Sequence, residues 1–144
     1  RDPEQVQKHI KKCFEGVKTL ELAPPAQSRR WESTGLVAPD GEKEKLVQPV
    51  KLEGPVEIWL GTVEKRMMES LRVHLVRCHN ANMNPKSMRK DKWVKEFLGQ
   101  LLITSGQILW TTDCGVALAK VERNQKNALR MLKRVQSKYI GKLT

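Results

Sequence analysis

The chain has 144 residues and a formal net charge of +11, and 39% of it is apolar. That length suits one domain or a piece of something larger, and the charge predicts an anionic partner: nucleic acid, a membrane surface or an acidic protein. No apolar run approaches the ~18 residues of a membrane span, and three cysteines without short spacing argue against a disulfide framework.

The chain opens without Met or an apolar leader, which predicts a segment cut from a longer chain. Asp2-Pro3-Glu4 reads as a helix start: a cap, a residue suited to the first turn, and an acid at the positive dipole end. Val6, Ile10, Cys13, Phe14, Val17 and Leu20 then recur at helical spacing until Pro24-Pro25, so the expected first helix covers 1–22. Residues 23–55 carry no helical pattern. Leu36-Val37 and Leu46-Val47 are short strands around a Pro39-Asp40-Gly41 turn, which predicts a β-hairpin with a charged tip. Trp31 falls in a charged connector.

Gly54-Pro55 opens a second helix, expected over 56–79. Val56, Trp59, Leu60, Val63, Met67, Leu71, Leu75 and Cys78 form its apolar stripe. A loop rich in Asn, Pro and Ser follows. The third helix is expected over 92–110, burying Trp93, Phe97, Leu101, Ile108 and Leu109. Thr111-Thr112-Asp113 offers a stop and a new cap, so a fourth helix is expected over 113–140, with Val121, Ala128, Leu132, Val135 and Tyr139 inward. The expected fold is mainly α: an elongated bundle of about four long helices with one small β-hairpin insertion.

Charge concentrates at the end. After Cys114 come Lys120, Arg123, Lys126, Arg130, Lys133, Arg134, Lys138 and Lys142, against Glu122 alone. This basic face could meet phosphates, but stacking aromatics are scarce and no nucleic-acid motif is present, so a solvated face is favoured. No phosphate-binding glycine loop occurs. His74, Cys78 and His79 are too few for a structural zinc site, which normally uses four ligands. No catalytic, metal-binding or cofactor-binding residue is expected. Phe14, Trp59, Trp93 and Trp110 are expected packing residues. Gly99 and Gly106, two turns apart, predict a close helix–helix contact, because each glycine costs about 1 kcal/mol in a helix and needs compensation.

Four stretches in order, "HIKKCFEGVKTLEL", "GLVAPDGEKEKLVQPV", "GPVEIWLGTVEKRMMESLR" and "LGQLLITSGQILWTT", resemble dynein heavy chains, in the linker region just before the ATPase ring. "EKRMMESLR" and the basic tail look more axonemal than cytoplasmic. One departure is Phe97-Leu98, where many relatives carry Trp-Pro; without proline the third helix is expected to run unbroken from Trp93 through Leu109.

The resemblance implies that 1–144 is one segment, the C-terminal half of a lever that bends and straightens across the ring. It implies a minus-end-directed microtubule motor in a cilium or flagellum, with ATP and magnesium bound elsewhere in the parent chain. Implied partners are the ring itself, intermediate and light chains, and microtubules, with no membrane. The tip residues Asp40, Gly41, Glu42, Lys43 and Lys45 are the first candidate ring contact. Lys120, Arg123, Lys126, Arg130, Lys133, Arg134 and Lys138 are the second. The alternative is an independent basic helical module that binds nucleic acid or an acidic protein.

Overall fold

The computed structural model describes residues 3–23, 31–84, 86, 88–123 and 128–143. These contain five helices and three strands: α1 (Pro3–Cys13), β1 (Thr19–Ala23), β2 (Glu32–Val37), β3 (Lys43–Lys51), α2 (Val56–Met83), α3 (Lys90–Glu96), α4 (Gly99–Glu122) and α5 (Ala128–Leu143). The chain divides into two compact units, Arg1–Arg77 and Cys78–Thr144, and the division falls within α2.

In the first unit, α1 is half as long as its apolar spacing predicts. Gly16, with φ +77°, ends it in the left-handed conformation that glycine tolerates. Val17 and Leu20 keep the apolar rhythm but reach the same core from a turn and a strand. Gln7 holds that transition. Its amide nitrogen donates to the Leu20 carbonyl at 2.7 Å, and its amide oxygen accepts from the Leu20 N–H at 2.9 Å.

The expected hairpin is therefore two-thirds of a three-stranded antiparallel sheet in the order β1-β2-β3. The third member is the stretch expected to be the end of the first helix. On one face, Leu20, Leu36, Leu46 and Val50 pack with Val6, Ile10, Phe14, Trp59 and Val63 as a single core. Trp31, placed in a charged connector by sequence, packs on its edge. A bulge separates the pairs Ser33↔Val50 and Gly35↔Lys45, so four β3 residues, Leu46 to Pro49, stand opposite Thr34. Pro49 lies in this bulge, where a missing N–H costs no ladder bond.

The second unit departs most from expectation. The helix expected over 92–110 is broken at Phe97 (φ −115°, ψ 152°) and Leu98 (φ −57°, ψ 143°), both extended, despite the absence of proline. The break holds because Leu98 serves as the backbone start of α4: its carbonyl accepts from Leu101 and Leu102. The expected stop at Thr111–Asp113 does not occur either. The Thr111 and Thr112 hydroxyls donate back to the Gln107 and Ile108 carbonyls, which keeps them inside α4 rather than at a cap. The helix expected over 113–140 is instead the end of α4 plus a separate α5.

Candidate interaction surfaces

The β2–β3 turn carries the first candidate set. Ala38 donates its N–H to the Glu42 carbonyl at 2.8 Å, and Gly41 donates to the Ala38 carbonyl at 3.0 Å. Gly41 supplies φ +93°, and the Asp40 carboxylate accepts from the Glu42 N–H at 3.1 Å. Asp40, Gly41, Glu42, Lys43 and Lys45 are all exposed. They are not equivalent. Lys43 is held by Glu21 at 2.8 Å, an ion pair that reaches from β3 to β1 across the central strand.

That crossing depends on Gly35. Its backbone needs no special φ, but a Cβ there would lie 2.6 Å from Glu21 Oε2 and 2.9 Å from the Glu44 carbonyl oxygen. Glycine at this position lets the Glu21 carboxylate lie over β2 and reach Lys43. Lys45, two residues on, makes no such contact within the sheet.

On the opposite face of β3, two bonds fasten the strand to α2. Ser70, fully buried, accepts from the Val47 N–H at 3.0 Å and donates to the Arg66 carbonyl at 2.6 Å. One turn further along α2, His74 Nδ1 meets the Glu44 carboxylate. Burial, and secondarily the Arg77 guanidinium, lower the His74 pKa below its ordinary 6.5. Folding therefore favours the neutral imidazole beside the Glu44 carboxylate.

In the second unit, α4 and α5 form an antiparallel helical pair. Asp113 near the middle of α4 accepts from Lys138 Nζ at 2.9 Å and from the Tyr139 hydroxyl at 3.0 Å. Toward the other end, Lys120 Nζ lies 4.0 Å from Met131 Sδ. Burial, followed by the hydrogen bond and the charge of Asp113, pushes the Tyr139 hydroxyl up to about 12. A groove between the two helices is lined by Asp113, Val116, Ala117, Met131, Arg134, Val135 and Lys138.

The basic residues expected on one helix thus lie on two. Lys120 lies in the last turn of α4 and Arg123 caps its end, while Arg130, Lys133, Arg134 and Lys138 lie exposed along α5; Lys126 falls outside the described residues. Lys138 is engaged by Asp113. Arg130, Lys133 and Arg134 have no carboxylate partner among the described residues, and α5 contains no acidic residue.

The expected packing residues divide. Phe14 (9% exposed) and Trp59 (3%) lie in the core of the first unit. Trp93 is half-buried and donates its indole N–H to the Cys78 carbonyl at 3.0 Å. Trp110 is 49% exposed and Ile108 38%, so neither is the buried residue expected. The glycine contact is also corrected. Gly99 is the first residue of α4, where helix propensity matters little, and a Cβ on Gly106 would meet nothing within 4 Å. The small residues that α4 does bury are Ser105 and Ala117; Ser105 accepts from the Asn82 amide at 3.0 Å and lies 3.4 Å from His79 Nδ1.

Cys78 is buried and directs its thiol to the Leu101 carbonyl at 3.6 Å, and burial raises its pKa. His74, Cys78 and His79 each have a different partner. No group of three or more His, Cys, Asp or Glu side chains converges among the described residues. Among the same residues, no helix is long and apolar enough to cross a membrane. Gln7, Ser70 and Asp113 organise these surfaces; sequence reasoning missed Gln7 and Ser70 and read Asp113 as a helix cap rather than as the acceptor from Lys138 and Tyr139. The only available signal was a polar residue set on or beside an apolar helical stripe, which is a weak one.

These features define a helical segment with a small sheet, whose polar residues tie elements together. The chain belongs to the dynein heavy chain family. The family model described as "Dynein heavy chain, N-terminal region 2" matches residues 1–78. The chain is 43% identical over 145 residues to the dynein-1-beta heavy chain of the flagellar inner arm I1 complex of Chlamydomonas reinhardtii, covering 100% of this chain and 3% of that protein. It is 42% identical to human dynein axonemal heavy chain 2 over 99% of its length, and 32% identical to human dynein axonemal heavy chain 6 over 99%. It spans 3% of the length of the first two relatives and 4% of the third.

Proposed function

We propose that this chain is a linker segment of an axonemal dynein heavy chain, a mechanical element that carries conformational change from the ATPase ring and performs no chemistry itself. The observation that supports this reading most is the end-to-end similarity to heavy chains named for the flagellar inner arm and the axoneme. The parent chain is then an ATP-driven, minus-end-directed microtubule motor of a cilium or flagellum. ATP and magnesium are bound by its ring, and intermediate and light chains are its partners.

The local construction suits a load-bearing element. Side chains bridge consecutive elements at Gln7–Leu20, Ser70–Val47, His74–Glu44 and Asp113–Tyr139. The exposed β2–β3 turn presents fixed charges on a backbone held by three hydrogen bonds, a geometry suited to a reversible polar contact with the ring.

Lys45→Glu in the full heavy chain tests this. It reverses an exposed charge while leaving the bonds within the sheet intact. Microtubule gliding should slow while ATP hydrolysis persists. Gliding at the normal speed would remove the turn from the mechanism.

A further inference from the structure

The groove between α4 and α5 has a chemistry that the lever reading does not use. Its floor is apolar: Val116 and Ala117 from α4, Met131 and Val135 from α5. Its rim is cationic. Arg130, Arg134 and Lys138 follow one another at i, i+4 and i+8 along α5, so they form one row on one side of the helix. Arg134 and Lys138 line the groove directly, and Lys120 stands at the far end beside Met131.

The acid within the groove, Asp113, is already engaged by Lys138 and Tyr139. Arg130 and Arg134 therefore present guanidinium groups without an internal carboxylate. Val116 is 50% exposed at the groove, so its apolar surface is open to a ligand as well as to water.

We propose that this groove binds an acidic protein segment that carries one apolar side chain. The apolar side chain would lie over Val116, Met131 and Val135, and flanking carboxylates would pair with Arg130 and Arg134. Arginine favours this partner, because its planar fork matches a carboxylate in two-point geometry. A second copy of this chain is the wrong occupant, since each carries a net charge of +11 and the two would repel. Nucleic acid would find the cations but no use for an aliphatic floor, because base recognition on a groove of this kind relies on aromatic stacking. The proposal goes beyond the lever reading and does not depend on it.

The test uses this chain and three labelled probes: a glutamate-rich peptide with one central leucine, the same peptide with serine in place of leucine, and a single-stranded oligonucleotide. The leucine peptide should bind best, and it should weaken as salt rises. Arg130→Gln with Arg134→Gln should reduce its affinity about two- to thirtyfold, as expected for the loss of two solvent-facing ion pairs. The circular dichroism spectrum should not change, because both side chains are exposed. A matched double neutralisation on α1, Lys8→Gln with Lys11→Gln, should leave binding intact. Equal binding of the two peptides would overturn the proposal. So would an equal loss from the α1 variant, or tighter binding of the oligonucleotide through the same two arginines.

Discussion

Gly35 and Gly106 are both glycines inside regular elements, yet substitution by alanine should act in opposite directions. At Gly35 an added Cβ would lie 2.9 Å from the Glu44 carbonyl oxygen, where ordinary contact begins at 3.4 Å. A main-chain oxygen of the neighbouring strand must therefore withdraw by about 0.5 Å, and overpacking of that kind costs about 1–3 kcal/mol. The nearer atom, Glu21 Oε2 at 2.6 Å, ends a flexible side chain and can swing away. Doing so gives up the Lys43 pair, which is worth at most about 1 kcal/mol because Lys43 is largely exposed. At Gly106 the new methyl group meets nothing within 4 Å, so only the helix preference for alanine remains, a gain of about 0.8–1.0 kcal/mol. Urea denaturation followed by circular dichroism, with segment-resolved hydrogen exchange, separates the two units. Gly35→Ala should lower protection of the sheet, and Gly106→Ala should raise protection of α4. A Gly35→Ala chain as stable as the parent, or a Gly106→Ala chain less stable, would refute the reading of these two sites.

Further outcomes follow from the bonds between elements. Ser70→Ala leaves the Val47 N–H against α2 without its acceptor and should cost about 1–3 kcal/mol in urea unfolding; Ser70→Thr, which retains the hydroxyl, should recover part of that. Tyr139 is the single tyrosine of the chain, so tyrosinate absorbance reads it directly. It should titrate near 12, and Asp113→Asn should bring it back toward 10. Because the folded value is raised, its contribution to stability is complete below pH 10 and is lost as pH rises through about 12. His74 has the opposite shift: its neutral form is favoured on folding, so unfolding should become easier as pH falls below 6.5. His74→Asn, which keeps a donor toward Glu44, should flatten that part of the pH profile; an unchanged slope would assign it to other groups.

The chain's own pattern was enough for several features. The apolar stripe of α2 is legible because helical spacing and core burial coincide there: Trp59, Val63 and Cys78 are all buried. The β2–β3 turn is legible because Pro39-Asp40-Gly41 has local backbone preferences that need no distant partner. The family was legible because four stretches occur in order.

Tertiary structure decided the rest wherever a local rule had two equally good outcomes. Val17 and Leu20 fit a helical stripe and a turn-plus-strand equally well, and Gly16 with the Gln7–Leu20 bonds selected the second. Thr111 and Thr112 could cap a helix or bond back within one, and the continuous α4 selected the second. Gly106 looked like a packing residue because glycine in a helix has a cost, but cost alone does not supply a neighbour. Gly35 has the close neighbours instead, and a glycine in an alternating strand carries no mark of what lies across the sheet. Composition determined that the last third of the chain would be basic. Only the pairing of α4 with α5 decided which of those charges Asp113 engages and which of them border an apolar groove, because an ion pair between residues 25 positions apart exists only once the chain has folded back on itself.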